Sequence, residues 1–158
     1  MARRRNPFLA LPLSFFLAFV LAVLPLPQGL SYWRPEFVTM VLVFWVLNAP
    51  NLVGIWFAFF IGLMVDVLFA TPFGVHALVL SMVAWMSRLS WRWLTVFSVW
   101  QTSGLVLVLV FASLLVKRVL LGIVALPPDS MLYWLPALTS ALLWPTVMVS
   151  LRRFSQRG

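Results

Sequence analysis

Long apolar runs broken by short clusters of proline, glycine, asparagine and arginine set the pattern of this chain. The runs predict helices over residues 8–24, 37–47, 52–70, 75–86, 95–116 and 132–151. Between them stand "PLPQG" at 25–29, "NAPN" at 48–51, "TPFG" at 71–74, "SRLSWRW" at 87–93 and "LPPD" at 126–129. All five are turn-rich or charged. The runs at 37–47 and 75–86 are shorter than a bilayer crossing requires. Those helices therefore extend into their flanks or lie partly buried among the others. There is no repeat and no low-complexity tract.

Composition turns six apolar helices into an all-α integral membrane protein. The 158 residues are 64% hydrophobic and 9% charged, with a mean hydropathy of +1.08, which excludes an ordinary soluble domain. Six spans of about 20 residues consume roughly 120 residues, leaving one membrane domain with short loops. Without cysteine, disulfides, thiol chemistry and Cys-based metal sites are excluded.

The net charge of +8 changes the picture only through its placement. With the N-terminus in the cytoplasm, six spans put Arg3, Arg4, Arg5, Arg88, Arg92, Arg152, Arg153 and Arg157 on the cytoplasmic side, eight of eleven basic residues. Arg34, Lys117, Arg118 and all three acids, Glu36, Asp66 and Asp129, fall toward the other side. The positive-inside rule selects this orientation, with both termini cytoplasmic. Basic residues so placed suit anionic membrane lipids rather than nucleic acid. A basic cluster before about 17 apolar residues imitates a secretory signal, but "VLPLPQGL" holds no A-x-A-like cleavage site. An uncleaved first span is the expectation.

Small residues write surfaces into several helices. In the third span Gly54, Ala58, Gly62, Asp66 and Ala70 recur every four residues, a ridge that lets another helix approach closely. Ala10, Ser14, Ala18 and Ala22 form a similar stripe on the first span, and Gly74, Ala77, Ser81, Ala84 and Arg88 a seam on the fourth. Each stripe serves either internal packing or a partner's helix. The first-span stripe, on a terminal helix, is the expected receiver of a partner. Among nine tryptophans, Trp33, Trp91, Trp93 and Trp134 lie at span ends as interfacial anchors, while Trp45, Trp56, Trp85, Trp100 and Trp144 are expected to pack. Pro145 removes a helical hydrogen bond, and Thr139, Ser140 or water is expected to satisfy the freed carbonyl.

Candidate chemistry centres on Asp66, the one carboxylate inside a span, and His76, the single histidine. One histidine excludes a multi-histidine metal site, and one intramembrane carboxylate excludes a paired-aspartate mechanism. A Ser–His–Asp set lacks a serine in a Gly-x-Ser-x-Gly setting. No enzyme, metal or cofactor is expected. A charge in hydrocarbon must be paired or hydrated, and Arg34, Lys117 and Arg118 approach the depth of Asp66. The leading expectation is an ion pair between Asp66 and one of these cations, fixing helix register. A proton or ion path is the lesser alternative, because Gln101, Thr102 and Ser103 lie nearer the opposite face.

The ordered segments "PLPQGLSYWRPEFVTMVLVFWVLNAP", "GLMVDVLFATPFGVHALVLSMVAW" and "LLWP" with a basic tail resemble the rod shape-determining protein MreD family. The resemblance covers nearly the whole chain. Its most specific elements are Arg34-Pro35, the Gly62–Asp66–Gly74 series and Trp144-Pro145. It implies an inner-membrane component of the bacterial elongation machinery that binds the bitopic protein MreC. Through MreC it implies links to the MreB filament, RodA and a class B penicillin-binding transpeptidase. It further implies a compact bundle similar to the substrate-binding subunits of energy-coupling-factor vitamin transporters. Two function classes follow: a scaffold of peptidoglycan synthesis with small-residue helix surfaces, or a small-ligand-binding subunit with a cavity of convergent polar groups.

Overall fold

The computed structural model describes residues 7–25, 27, 36–94, 98–124 and 134–157. These residues form six helices, with no strand among them. In chain order they are α1 (Pro7–Val23), α2 (Phe37–Asn48), α3 (Ile55–Phe69), α4 (Val75–Leu94), α5 (Val99–Val124) and α6 (Leu135–Arg157).

Three helices run past the stretches that predict them, α5 doing so through Lys117 and Arg118 to Val124. α4 continues through "SRLSWRWL" to Leu94, because nothing in 87–93 breaks a helix: arginine, leucine and tryptophan all tolerate the conformation. α6 likewise continues through Arg152 and Arg153 to Arg157. The charged segment predicted to end the fourth helix is itself helical.

α2 is the shortest helix and the most enclosed. Its twelve residues extend about 18 Å, and nine of them, Val38 through Val46, are buried. It packs against α1, α4 and α6 and also touches α5. A helix surrounded by protein has no need to match a bilayer's thickness, which explains its brevity. α5 is the opposite case: Trp100–Ile123, 24 residues with hydropathy 2.4, is long and apolar enough to cross a membrane.

α3 and α4 form the most extensive pair, antiparallel and very close. A Cβ added at Gly62 would collide with the Ala77 backbone and stand 2.6 Å from the His76 carbonyl oxygen. Only hydrogen fits there. Ala58 and Ala77 are fully buried beside this crossing. Further along, Gly54 faces the Arg88 side chain.

The first-span stripe is consumed in the same way. Ala10, Ser14, Ala18 and Ala22 are all buried in the core, and the Trp45 indole N–H donates to Ser14 Oγ at 2.8 Å. Ser14 Oγ in turn donates to the Leu11 carbonyl at 2.7 Å. The stripe therefore seats α1 on α2, and beside it Ser14 and Ala18 line an apolar groove of about 270 Å³ with Leu17, Leu21, Val41 and Val147. On α3, Ala58, Gly62 and Asp66 are likewise buried inside the bundle. The physical reason is common to both: small residues permit close approach, and the chain's own neighbours occupy that space first.

Bulky apolar side chains point the other way. Phe8, Phe16 and Leu17 on α1, Phe60 and Met64 on α3, Val108 and Ile123 on α5, and Leu142 on α6 are exposed. Trp45 and Trp144 pack in the core, as expected. Trp56, Trp85 and Trp100 do not: Trp56 is 78% and Trp100 80% exposed, each within two residues of its helix start. Near Pro145, Thr139 Oγ1 donates to the Leu135 and Pro136 carbonyls, while Ser140 Oγ accepts the Glu36 backbone N–H at 2.9 Å. Neither hydroxyl serves the carbonyl one turn before Pro145.

Candidate functional site, a polar cleft at one end of the bundle

The close α3–α4 approach at Gly62 dictates what happens one turn later, at Asp66. α3 ends with Ala70 in the left-handed region at φ 52°. The Thr71 N–H returns to the Asp66 carbonyl at 3.0 Å, closing the last turn. Gly74 follows at φ 100°, a conformation that favours glycine, and α4 begins at Val75. The chain has reversed within five residues, and His76 arrives beside Asp66.

The buried Asp66 carboxylate is the hub of this turn. Oδ1 accepts the Thr71 hydroxyl at 2.8 Å, the His76 backbone N–H at 3.0 Å and His76 Nδ1 at 2.8 Å. Oδ2 accepts the Gly74 N–H at 2.9 Å. Two of these donors are backbone groups at the start of α4, where N–H groups lack helical partners and the helix dipole favours negative charge. Asp66 thus caps α4 from the preceding helix. With the carboxylate ionised, the network assigns the ring hydrogen to Nδ1. Phe69 stacks on the imidazole, centroids 6.2 Å apart.

Lys117 has a different partner. Its Nζ lies 2.9 Å from Glu36 Oε1, an ion pair between α5 and the N-terminus of α2. Thr39 Oγ1 donates to the other Glu36 oxygen at 3.2 Å. Arg118 points elsewhere, its guanidinium 6.0 Å from the Trp134 ring centre. Arg34 lies outside the described residues. The expected pairing of Asp66 with Lys117 or Arg118 is therefore corrected. The ionised Asp66 is stabilised by local hydrogen bonds across a tight turn, and Lys117 reaches the acid at the head of α2. Thr71 and His76, which bind Asp66, line the same cleft as Glu36 and Lys117, yet the two carboxylates keep separate partners.

These groups surround one cleft of about 460 Å³. Glu36, Thr39, Thr71, His76 and Lys117 supply its polar lining, with Ala22, Val38, Val65, Phe69, Leu80 and Pro136 among its apolar walls. The lining comes from all six helices or their ends, at the end where α1 and α3 finish and α2, α4 and α6 begin. Exposed Arg88, Arg92, Arg152 and Arg153 belong to the C-terminal ends of α4 and α6, at the opposite end. The cleft offers no serine nucleophile beside the histidine, and among the described residues no group of three metal-ligating side chains occurs. What it offers is a place to hold a polar group against an apolar wall.

A family model for rod shape-determining protein MreD matches residues 2–154. The rod shape-determining protein MreD of Haemophilus influenzae is 36% identical over 150 residues, which covers 92% of this chain and 90% of that protein. No solved structure matches the chain, so the likeness to vitamin-transporter subunits gains no structural counterpart. A family match across nearly the full length, with a relative aligned over almost all of both chains, shows that this chain belongs to the rod shape-determining protein MreD family.

Proposed function

We propose that this chain acts in rod-shape determination as a non-enzymatic, multi-pass scaffold of the bacterial inner membrane, with both termini cytoplasmic. It holds a bitopic partner of the MreC kind by transmembrane helix packing. Through that partner it organises lateral peptidoglycan synthesis with the MreB filament, RodA and a class B transpeptidase. One observation carries the reading: large apolar side chains face outward on α1, α3, α5 and α6, while the polar Ser14, Thr39, Asp66, Ser113 and Ser140 are buried inside. A protein solvated by lipid distributes its residues this way, and it leaves broad apolar faces on which another helix can lie.

Purification in mild detergent together with an MreC-type protein tests the proposal. Co-elution at a fixed ratio supports it, and a chain that elutes alone while cells remain rod-shaped overturns it. Reporter fusions at both ends test the orientation, with a periplasmic C-terminus excluding six crossings.

The polar cleft favours a second reading, a small-ligand-binding subunit. It has the convergent polar groups that such a subunit requires, at a volume within the usual range for ligand sites.

A further inference from the structure

Charged groups are costly inside a membrane protein, and those that face a cavity mark functional sites. The Glu36 side chain is 23% exposed and that of Lys117 nearly buried at 9%, and both line the cleft. The His76 side chain is 15% exposed and lines it too. Among the described residues, each also has unused hydrogen-bonding capacity. Lys117 has three N–H groups, of which one meets Glu36. Each Glu36 oxygen accepts one bond and has room for another. Because His76 Nδ1 is committed to Asp66, Nε2 is left as an acceptor with no partner among the described residues.

The free capacity is specific in kind. Two acceptors, the Glu36 carboxylate and His76 Nε2, suit a group with several N–H donors. One ammonium, Lys117, suits an anionic oxygen beside it. Lys117 and Glu36 compensate each other, so a ligand of no net charge leaves the cleft balanced. Apolar walls from Val38, Val65, Phe69 and Leu80 suit hydrocarbon attached to such a ligand. The cleft lies at a helix end, the depth of lipid headgroups if the helices cross a bilayer.

We propose that this cleft binds a primary ammonium joined to a phosphate, with the ammonium on Glu36 and His76 and the phosphate on Lys117. An ethanolamine phospholipid headgroup and free phosphoethanolamine share this chemistry. The inference rests on the second, ligand-binding reading of the cleft and requires no partner protein, so it is tested on the chain alone.

The purified chain is delipidated in detergent, and native mass spectrometry measures its binding of phosphatidylethanolamine, phosphatidylcholine and phosphatidylglycerol. The quaternary amine of phosphatidylcholine cannot donate a hydrogen bond, and phosphatidylglycerol has no amine. Loss of one charge-assisted contact is expected to weaken either control lipid by about tenfold. Glu36→Gln/Lys117→Met, which removes both charges together and leaves neither unpaired, should abolish the preference while circular dichroism and elution stay unchanged. Competition by soluble phosphoethanolamine at equal strength assigns the site to the free molecule, and competition by the lipid alone assigns it to the membrane. Equal binding of all three lipids by the unaltered chain, with no effect of phosphoethanolamine on its melting temperature, overturns the proposal whether or not the variant folds. A preference that survives in the folded double variant also overturns it.

Discussion

Asp66 and His76 are joined twice: one carboxylate oxygen, Oδ1, accepts both the His76 backbone N–H at 3.0 Å and the ring Nδ1–H at 2.8 Å. The double link ties the end of α3 to the first turn of α4 through a loop that also closes on Thr71 and Gly74. Removing the carboxylate strands several donors at once. Asp66→Ala is expected to lower unfolding stability by roughly 3 kcal/mol or more, since each buried unsatisfied donor costs about 1–3 kcal/mol. Asp66→Asn should cost less, because its one carbonyl oxygen still serves part of the network. Thermal unfolding in detergent orders the three proteins, and an unchanged midpoint for Asp66→Ala would sink the capping role.

Gly62 is expected to tolerate nothing larger than hydrogen. Gly62→Ala forces a methyl into the Ala77 backbone and should cost about 1–3 kcal/mol, as other overpacked sites do. Gly104 and Gly122 provide the contrast, since a Cβ at either meets open space. Their alanine variants should be neutral or more stable by roughly 0.5–1 kcal/mol, the usual helical difference between the two residues. Midpoints from the same unfolding assay distinguish the positions.

Ser14 and Trp45 hold α1 on α2 by one buried bond. Ser14→Ala leaves an indole N–H without its acceptor and is expected to cost about 1–3 kcal/mol. Trp45→Phe removes the donor as well and should make the further loss of Ser14 nearly free. A double-mutant cycle that shows no coupling would place the stability of this seam in packing alone.

For Glu36 and Lys117, single substitutions should be worse than the pair. Glu36→Gln or Lys117→Met each leaves a largely buried charge uncompensated, at a cost of about 3–5 kcal/mol where burial is complete and less at the partly exposed acid. The double variant should recover most of that loss. Additive losses would mean that the two groups do not meet.

Helix positions were legible because apolar runs and turn clusters alternate clearly. The ends were harder to read: the helical span of α4 through "SRLSWRWL" shows that charge alone does not stop a helix. Asp66 stood out as a carboxylate in hydrocarbon, but its partner was sought among cations at equal depth. The signal for His76 was local. An acid four residues before a turn, a glycine within it and a histidine two residues after that glycine describe a reversal that returns the chain to the acid. Glu36 could have been matched to Lys117 by its place at the head of the neighbouring helix. The stripes mark where helices can approach closely, but a list of small residues does not say whether the neighbour belongs to the same chain. That depends on which helix lies alongside, a property of the three-dimensional arrangement.

The direct test of a scaffold that holds its partner by helix packing is photo-crosslinking in living rod-shaped cells. A photoreactive residue is placed in turn at outward positions such as Phe16 on α1, Phe60 on α3, Val108 on α5 and Leu142 on α6, with buried Ala58 and Ala77 as controls. The expected result is adducts with the transmembrane segment of an MreC-type protein from one outward face, and none from the controls. Rod-shaped cells in which no outward face yields such an adduct would contradict the proposed function.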